Sequence, residues 1–211
     1  MATQVTNSYH VKKVGDAVNL IDDPFASPQW NNAHVLEDFS YPWESEAAPR
    51  MTFRAQHNTE WLYCLFDVFD KNIMTYVDIN HKSEVIHGDR IEIFLAQDDA
   101  LASYYGLEID AHGRVYDYHA SYYRKFEPDW SWPAGHLHVK AEQTHHGYSV
   151  LLAISFQSLQ ELSLLKDGKL KAGLFRGKCL VAGATNEKMK WISWLKPLSP
   201  RPDFHIPSSF G

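Results

Sequence analysis

The feature that most constrains the fold is a series of short runs rich in aromatic and β-branched residues, with almost no helical pattern between them. The runs are residues 51–57, 61–70, 90–96, 104–110, 114–120, 137–143, 148–154, 170–182 and 190–194. Runs of this composition are typical of β-strands. Several alternate with a period of two: Ile91 and Ile93 point to one face of the run 90–96, and Arg90 and Glu92 to the other. Because helices do not alternate with the runs, a parallel βαβ sheet is excluded.

Turn signals stand at hairpin spacing between the predicted strands. Residues 110–113 (DAHG) and 145–147 (HHG) each separate two runs. One stretch, 155–165, predicts a short helix in which Ser155 is the N-cap and Leu159, Leu162 and Leu165 share a face. The sequence therefore predicts an all-β protein: an antiparallel sandwich of the jelly-roll or immunoglobulin-like kind, with one short helix.

The organisation of the chain favours a single domain. The 211 residues contain no repeat, charge block or linker, so residues 1–211 are interpreted as one domain, with 1–20 as an N-terminal strand or extension. Cys64 and Cys179 lie far apart in apolar runs. Free buried thiols are predicted, and a single bridge is the alternative.

Charge and hydropathy exclude some classes of partner. Lys and Arg number 20 and Asp and Glu 26, a net charge of −6, so a basic face for nucleic acid is not expected. No apolar run approaches the roughly 18 residues of a membrane span, and the beginning of the chain lacks the pattern of a signal peptide. The 7 Trp, 11 Tyr and 11 Phe are a surplus that suits ring stacking or a large core.

Six motifs in order carry a resemblance. Residues 61–70 form a strand that ends in Asp70, residues 88–95 (GDRIEIFL) are similar to a "DxVEIF" strand, and 105–110 (YGLEID) follow. Residues 147–156 resemble "GY.VE.AIPW", and 192–194 with 203–211 resemble the ending "SW…P..FG". With the earlier segment 21–33 around Trp30, this order resembles the family 9 carbohydrate-binding modules, first known as appendages of xylanases, over about residues 20–211.

The resemblance implies a β-sandwich that binds sugar without catalysis. Expected partners are mono-, di- or oligosaccharides, including the ends of polysaccharides such as xylan, with neither nucleic acid nor membrane. No cofactor is required, although some members hold structural calcium. The family favours a periplasmic or secreted location.

The resemblance also implies site residues. Two Trp clamp a sugar ring in well-understood members, and this chain has Ile86 and Phe204 at those positions. Glu92 matches a family Glu that contacts sugar hydroxyls, and Glu108 stands near a polar position on the following strand. The family's arginine there is absent, and Arg90 is predicted to supply the donor instead.

Other aromatic residues are candidates to replace the missing clamp. Trp130 and Trp132 lie in residues 122–135, a stretch predicted to be a long loop, and are proposed ligand contacts. Trp30, Trp61, Trp191 and Trp194 are predicted to be core residues.

Two kinds of metal site are further hypotheses. Asp70 and Asp89 occupy acidic positions that recur in the family and are candidate calcium ligands. The histidines at 136, 138, 145 and 146 suggest zinc, but no Cys-x-x-Cys or His-Glu-x-x-His pattern accompanies them.

Two alternatives to sugar binding stay open. A glycoside hydrolase could pair Glu92 with Glu108 or Asp110, although no motif marks a general acid and enzyme activity is not expected. A protein-interaction sandwich that has lost the sugar pocket is the other alternative, and Ile86 at a clamp position supports it.

Overall fold

Two β-sheets packed face to face dominate the part of the chain that the structure, a computed structural model, describes: residues 8–183 and 188–211. In chain order the strands are β1 (Lys12–Lys13), β2 (Met51–His57), β3 (Trp61–Val68), β4 (Arg90–Ala96), β5 (Tyr104–Asp110), β6 (Val115–Ser121), β7 (Lys125–Glu127), β8 (Leu137–Thr144), β9 (Gly147–Ser155), β10 (Leu165–Lys166), β11 (Lys169–Cys179) and β12 (Met189–Ser193). The α-helix α1 spans Phe156–Glu161, and 3-10 helices span Pro28–Asn32, Lys82–His87 and Pro207–Ser209.

The strands divide into sheets of five and seven. The first sheet has the order β1-β2-β3-β9-β8, and the second has β10-β11-β4-β5-β6-β7, with β12 also paired to β11. Every pair is antiparallel except β1 with β2. The predicted all-β sandwich is therefore confirmed.

The sandwich core lies between the sheets and follows the period of two. Ile91, Ile93 and Leu95 of β4 face inward and pack with inward residues of the other sheet such as Phe66 and Leu152. Their neighbours on β4 consequently project from the outer face of the seven-stranded sheet.

A second apolar cluster covers part of that outer face. Its buried members are Phe94, Ala96, Leu101, Tyr104, Tyr118, Ala120, Phe175, Phe204 and Phe210. The last ten residues run across the face, and Gly211 exchanges two backbone hydrogen bonds with Ala172, at 2.9 and 3.0 Å. This segment supplies one wall of the site described below.

Glycines let side chains lie flat on the outer face. A Cβ on Gly106 would come within 2.2 Å of the Tyr118 ring, and one on Gly177 within 2.9 Å of Arg90 Nη1. A side chain at either position would displace the group above it. The floor of the site therefore depends on these two residues being glycine.

The predicted strands are all present, β1 lies within the N-terminal strand or extension expected over 1–20, and two short strands (β7 and β10) are additional. Helix α1 begins at the predicted N-cap, where the Ser155 hydroxyl accepts from Ser158 N at 3.1 Å. It ends earlier than predicted because Ser163 adopts a left-handed conformation (φ 56°), and Leu165 belongs to β10. The predicted loop 122–135 contains β7.

The cysteines, the N-terminal segment and the helices bear on three further expectations. Cys64 and Cys179 are free and buried, as predicted. Residues 1–7 of the predicted N-terminal extension lie outside the described residues. No helix in the described part of the chain is long and apolar enough to cross a membrane.

Candidate functional site

A pocket of about 420 Å³ opens on the outer face of the seven-stranded sheet. Strands β4, β5 and β6 form its floor, β12 and the 3-10 helix Lys82–His87 stand on one side, and β7 and the C-terminal segment form the rest. The lining residues are Ile86, Arg90, Glu92, Glu108, Tyr116, Tyr118, Arg124, Phe126, Trp191, Pro202, Asp203, Phe204 and His205. Apolar rings and charged groups thus face one space.

The charged floor consists of Arg90, Glu92 and Glu108. Glu92 and Glu108 are directly paired on β4 and β5, so their side chains stand next to each other. Arg90 Nε donates to Glu108 Oε2 at 2.5 Å, and Arg90 Nη2 lies 3.0 Å from Glu92 Oε1. Arg90 Nη1 donates to the Ile86 carbonyl at 3.0 Å. Arg90 therefore holds both carboxyl groups in fixed positions.

The Glu92 carboxyl is the least satisfied group of the floor. Its side chain is only 2% exposed, and the contact with Arg90 has the distance of an ion pair but not the angles of a hydrogen bond, so Oε1 has no hydrogen-bond partner. Burial, and then the charge of Glu108, raise the pKa of Glu92 to about 8, although Arg90 opposes the change. At neutral pH Glu92 is therefore mainly protonated. It can both donate and accept a hydrogen bond.

Tyr118 provides a second unpartnered polar group. Its hydroxyl has no hydrogen-bond partner, and burial raises its pKa well above the usual range. A buried polar group without a partner costs free energy that a ligand hydroxyl or water would recover. The floor thus presents two polar groups suited to a ligand with hydroxyls.

Aromatic rings line the sides of the pocket. Trp191 on β12 is half-buried, and its ring centroid lies 5.3 Å from Arg90 Cζ. Phe204 is buried: one face stacks on Phe175 at 4.0 Å, and Trp191 meets it edge to face at 5.7 Å. Trp191 and the exposed Phe126 therefore offer more ring surface to a ligand than Phe204 does.

A polar latch joins the β6–β7 hairpin to the C-terminal segment. Tyr123 Oη donates to Asp203 Oδ2 at 2.5 Å, and Arg124 Nη1 donates to Asp203 Oδ1 at 3.2 Å. The backbone N–H of His205 donates to the same Oδ1 at 3.0 Å. Burial lowers the pKa of His205 to about 3, so this histidine stays neutral above that pH. The latch fixes one wall of the pocket.

The pocket brings together five of the seven predicted ligand contacts: Ile86, Arg90, Glu92, Glu108 and Phe204.

Trp130 and Trp132 lie elsewhere. Trp132 is 6% exposed in the sandwich core, where its Nε1 donates to Ser158 Oγ at 3.1 Å. Trp130 packs on the inward-facing Tyr105 at 4.8 Å. These two residues pack on the opposite side of the sheet from the pocket, so we do not retain them as ligand contacts.

Sequence reasoning missed several lining residues, and Trp191 is the most important. Trp30, Trp191 and Trp194 are all predicted to be core residues. Trp30 and Trp194 are buried, but Trp191 lines the pocket. The alternation of β12 could have indicated this position. Trp191 directly precedes the apolar Ile192, which is buried, so the two side chains point to opposite faces of the sheet. The contributions of Arg124, Asp203 and His205 had no comparable local signal.

Asp70 and Asp89, the proposed calcium ligands, are already paired with basic side chains of the protein. Arg176 Nη2 donates to Asp70 Oδ2 at 2.9 Å and to Asp89 Oδ1 at 3.0 Å, and Lys178 Nζ also pairs with Asp70. Arg176 is completely buried, and its guanidinium group supplies the positive charge next to both carboxylates. These residues do not fit a calcium site, and we do not retain Asp70 and Asp89 as metal ligands.

The histidines do not form a metal cluster either. His136 Nδ1 lies 2.7 Å from Ser155 Oγ, His138 packs on Trp61, and His145 contacts His146. Within residues 8–183 and 188–211, no three His, Cys, Asp or Glu residues are arranged to hold a metal ion.

Comparison with known proteins identifies the family. The model of the "Carbohydrate family 9 binding domain-like" family matches residues 21–211. The chain belongs to this family. Family 9 membership agrees with the motif order of the sequence and with the sandwich of the structure. No curated protein matches the chain in sequence.

Solved structures share the family 9 fold at low identity. A "putative carbohydrate-binding protein" from Bacteroides uniformis ATCC 8492 has a TM-score of 0.72 and 16% identity, covering 95% of both chains. A family 9 carbohydrate-binding module from Caldicellulosiruptor kristjanssonii, in complex with cellotriose, has a TM-score of 0.55 and 16% identity over 96% of this chain and 91% of that one. The glucose complex of a family 9 module from the same organism has a TM-score of 0.52 and 16% identity, covering 95% of this chain and 93% of that one.

Proposed function

We propose that the outer-face pocket binds a sugar ring non-covalently. The observation that supports this most is that Ile86, Arg90 and Glu92, from one stretch of the chain, line one pocket with Glu108 of the neighbouring strand and Phe204 of the C-terminal segment. Ile86, Glu92 and Phe204 stand at site positions of the family, whereas Arg90 is proposed in place of a missing family arginine, and all four line the same pocket. The volume of about 420 Å³ is within the range of small-ligand pockets.

The chemistry of the lining suits a pyranose. Sugar hydroxyls both donate and accept, so they can bind the Glu92 carboxyl, the Tyr118 hydroxyl and the free lone pairs of Glu108. The apolar C–H face of the ring would stack on Trp191, which we propose takes over from the clamp Trp replaced by Ile86. Hydrogen bonds to the charged groups would be about twice as strong as neutral ones.

The ligand class follows from the family and its solved members. Family 9 structures of similar fold, from Caldicellulosiruptor kristjanssonii, are complexes with cellotriose and with glucose. Glucose and β-linked gluco-oligosaccharides are therefore the first probes, with xylose and xylan fragments next. We propose mono-, di- or oligosaccharides as the partners, with no cofactor.

The floor favours binding over hydrolysis. In a glycosidase the two carboxyl groups stand on either side of the scissile bond. Here Glu92 and Glu108 are neighbours on one floor and both contact Arg90, which occupies the space near them. This arrangement supports a non-catalytic role.

Isothermal titration calorimetry with glucose, xylose, galactose, mannose and cellotriose tests the proposal. We expect binding of at least one sugar, and a loss of about tenfold or more in Glu92→Ala and Trp191→Ala, because each removes a direct contact. Glu142→Ala, on the exposed face of β8, is the matched control and should bind normally.

Two results would contradict the proposal. Failure of every sugar to bind at millimolar concentration would exclude sugar binding in the pocket. Turnover of chromogenic glycosides that disappears in Glu92→Gln would show an enzyme instead.

A further inference from the structure

In the described part of the chain, the exposed Phe, Trp and Tyr residues are confined to one hairpin. Ten large hydrophobic residues are exposed in the described part of the chain, and three are aromatic: Tyr122 at 50%, Tyr123 at 47% and Phe126 at 38% exposure. All three belong to the β6–β7 hairpin. The remaining seven are aliphatic residues or methionine and are spread over other segments.

The hairpin is continuous with the pocket. Phe126 and Arg124 line it, as does Asp203, the partner of the Tyr123 hydroxyl. The Tyr122 ring lies 5.4 Å from the Tyr123 ring at an interplanar angle of 61°. A ligand that extends out of the pocket over the latch would therefore meet these two rings next.

The rings are held in place although they are exposed. Tyr123 is hydrogen-bonded to Asp203, and Asp203 is fixed in turn by Arg124 and the His205 backbone. The backbone N–H of Tyr122 donates to the Leu101 carbonyl at 2.9 Å. A surface already ordered before binding loses less conformational entropy when a ligand arrives. Single exposed apolar residues need no such support, so a supported group of three is informative.

We infer that Tyr122 and Tyr123 form a second sugar subsite, an inference that rests on the proposed function. It takes the ring joined to the sugar in the pocket, and the natural ligand therefore contains at least two rings. Tyrosine suits this position because its ring stacks on C–H faces while its hydroxyl remains solvated or hydrogen-bonded.

The test is the gain in affinity with ligand length. Calorimetry with glucose, cellobiose and cellotriose is performed on the wild type, Tyr122→Ala and Tyr123→Phe. If the panel above selects another monosaccharide, its own di- and trisaccharide are the probes. The variant Val35→Ala removes an exposed apolar side chain remote from the hairpin and is the control.

In the wild type the trisaccharide should bind about three- to tenfold more tightly than the monosaccharide, the range expected for one ring contact. Tyr122→Ala should reduce this ratio to about one, and Tyr123→Phe should reduce it partly, because it keeps the ring but loses the bond to Asp203. Val35→Ala should keep the wild-type ratio. Circular dichroism melting confirms that each variant is folded.

The outcomes separate the two proposals. Equal affinity of the wild type for all three sugars, or a ratio that survives in Tyr122→Ala, would overturn the second subsite while the pocket stands. If no sugar binds the wild type, both proposals fail. A protein partner that binds the wild type but not Tyr122→Ala, with the sugar ratio unchanged, would assign the hairpin to protein recognition and overturn the subsite.

Discussion

The protonated carboxyl of Glu92 should make the stability of the protein fall as the pH rises. The pKa of Glu92 is raised from 4.5 to about 8, first by burial and then by the neighbouring charge of Glu108. A carboxyl with a raised pKa in the folded state contributes stability that is fully present below the pKa of the unfolded chain. That contribution is lost as the pH rises through the pKa of the folded state.

The magnitude follows from the two pKa values. At about 1.4 kcal/mol per pKa unit, the interval from 4.5 to about 8 corresponds to about 5 kcal/mol. About 4 kcal/mol of this should be lost between pH 5 and pH 9. That loss is large compared with the net stability of a typical domain, about 5–15 kcal/mol.

The variant Glu92→Gln isolates the effect, because glutamine keeps the shape of the neutral carboxyl but cannot ionise. We expect the variant to be close to the wild type in urea unfolding at pH 5 and about 4 kcal/mol more stable at pH 9. The other ionisable groups are present in both proteins, so their contributions cancel in the difference.

Glu142→Gln makes the same chemical change at an exposed strand position and is the matched control. If the difference between Glu92→Gln and the wild type stays constant from pH 5 to pH 9, Glu92 is ionised throughout and the reasoning about the floor is refuted.

Four further predictions concern the floor, the buried arginine, calcium and the latch. Gly177→Ala should lower sugar affinity at least tenfold in calorimetry and stability by about 1–3 kcal/mol in urea unfolding, because its Cβ displaces Arg90. Gly15→Ala is the control and should change neither quantity, and unchanged affinity in Gly177→Ala would contradict the prediction. Arg176→Met should cost about 3–5 kcal/mol in urea unfolding, because Asp70 and Asp89 lose a shared partner. Added calcium should leave the melting temperature of the wild type unchanged, and a clear rise would restore the metal hypothesis. Asp203→Asn should weaken the latch and sugar binding together, and melting that is unchanged would show that the loss of affinity is local.

The fold could be predicted because strand patterns are local. Alternation in β4 placed Ile91 and Ile93 in the core and Glu92 on the opposite face, and the structure confirms both. The additional strands β7 and β10 have three and two residues, too few to show a period.

The candidate site could be predicted only where family motifs lie on strands. Glu92 and Arg90 are fixed by the alternation of one strand, but Asp203 and His205 reach the pocket because a terminal segment crosses the sheet. Trp130 and Trp132 show the opposite case. Their pattern suggested an exposed platform, yet contacts with Tyr105 and Ser158, distant in sequence, place them on the inner side of the sheet.

The latch between Asp203 and the β6–β7 hairpin has a consequence for how ligands could be found. It joins residues about 80 positions apart, so the pocket wall is complete only in the fully folded chain. A sugar that binds there recognises the native state and not the unfolded chain. At a concentration of 100 times its Kd, such a ligand would stabilise the protein by about 2.7 kcal/mol. A thermal-shift screen over a glycan library would therefore detect the ligand before its identity is known.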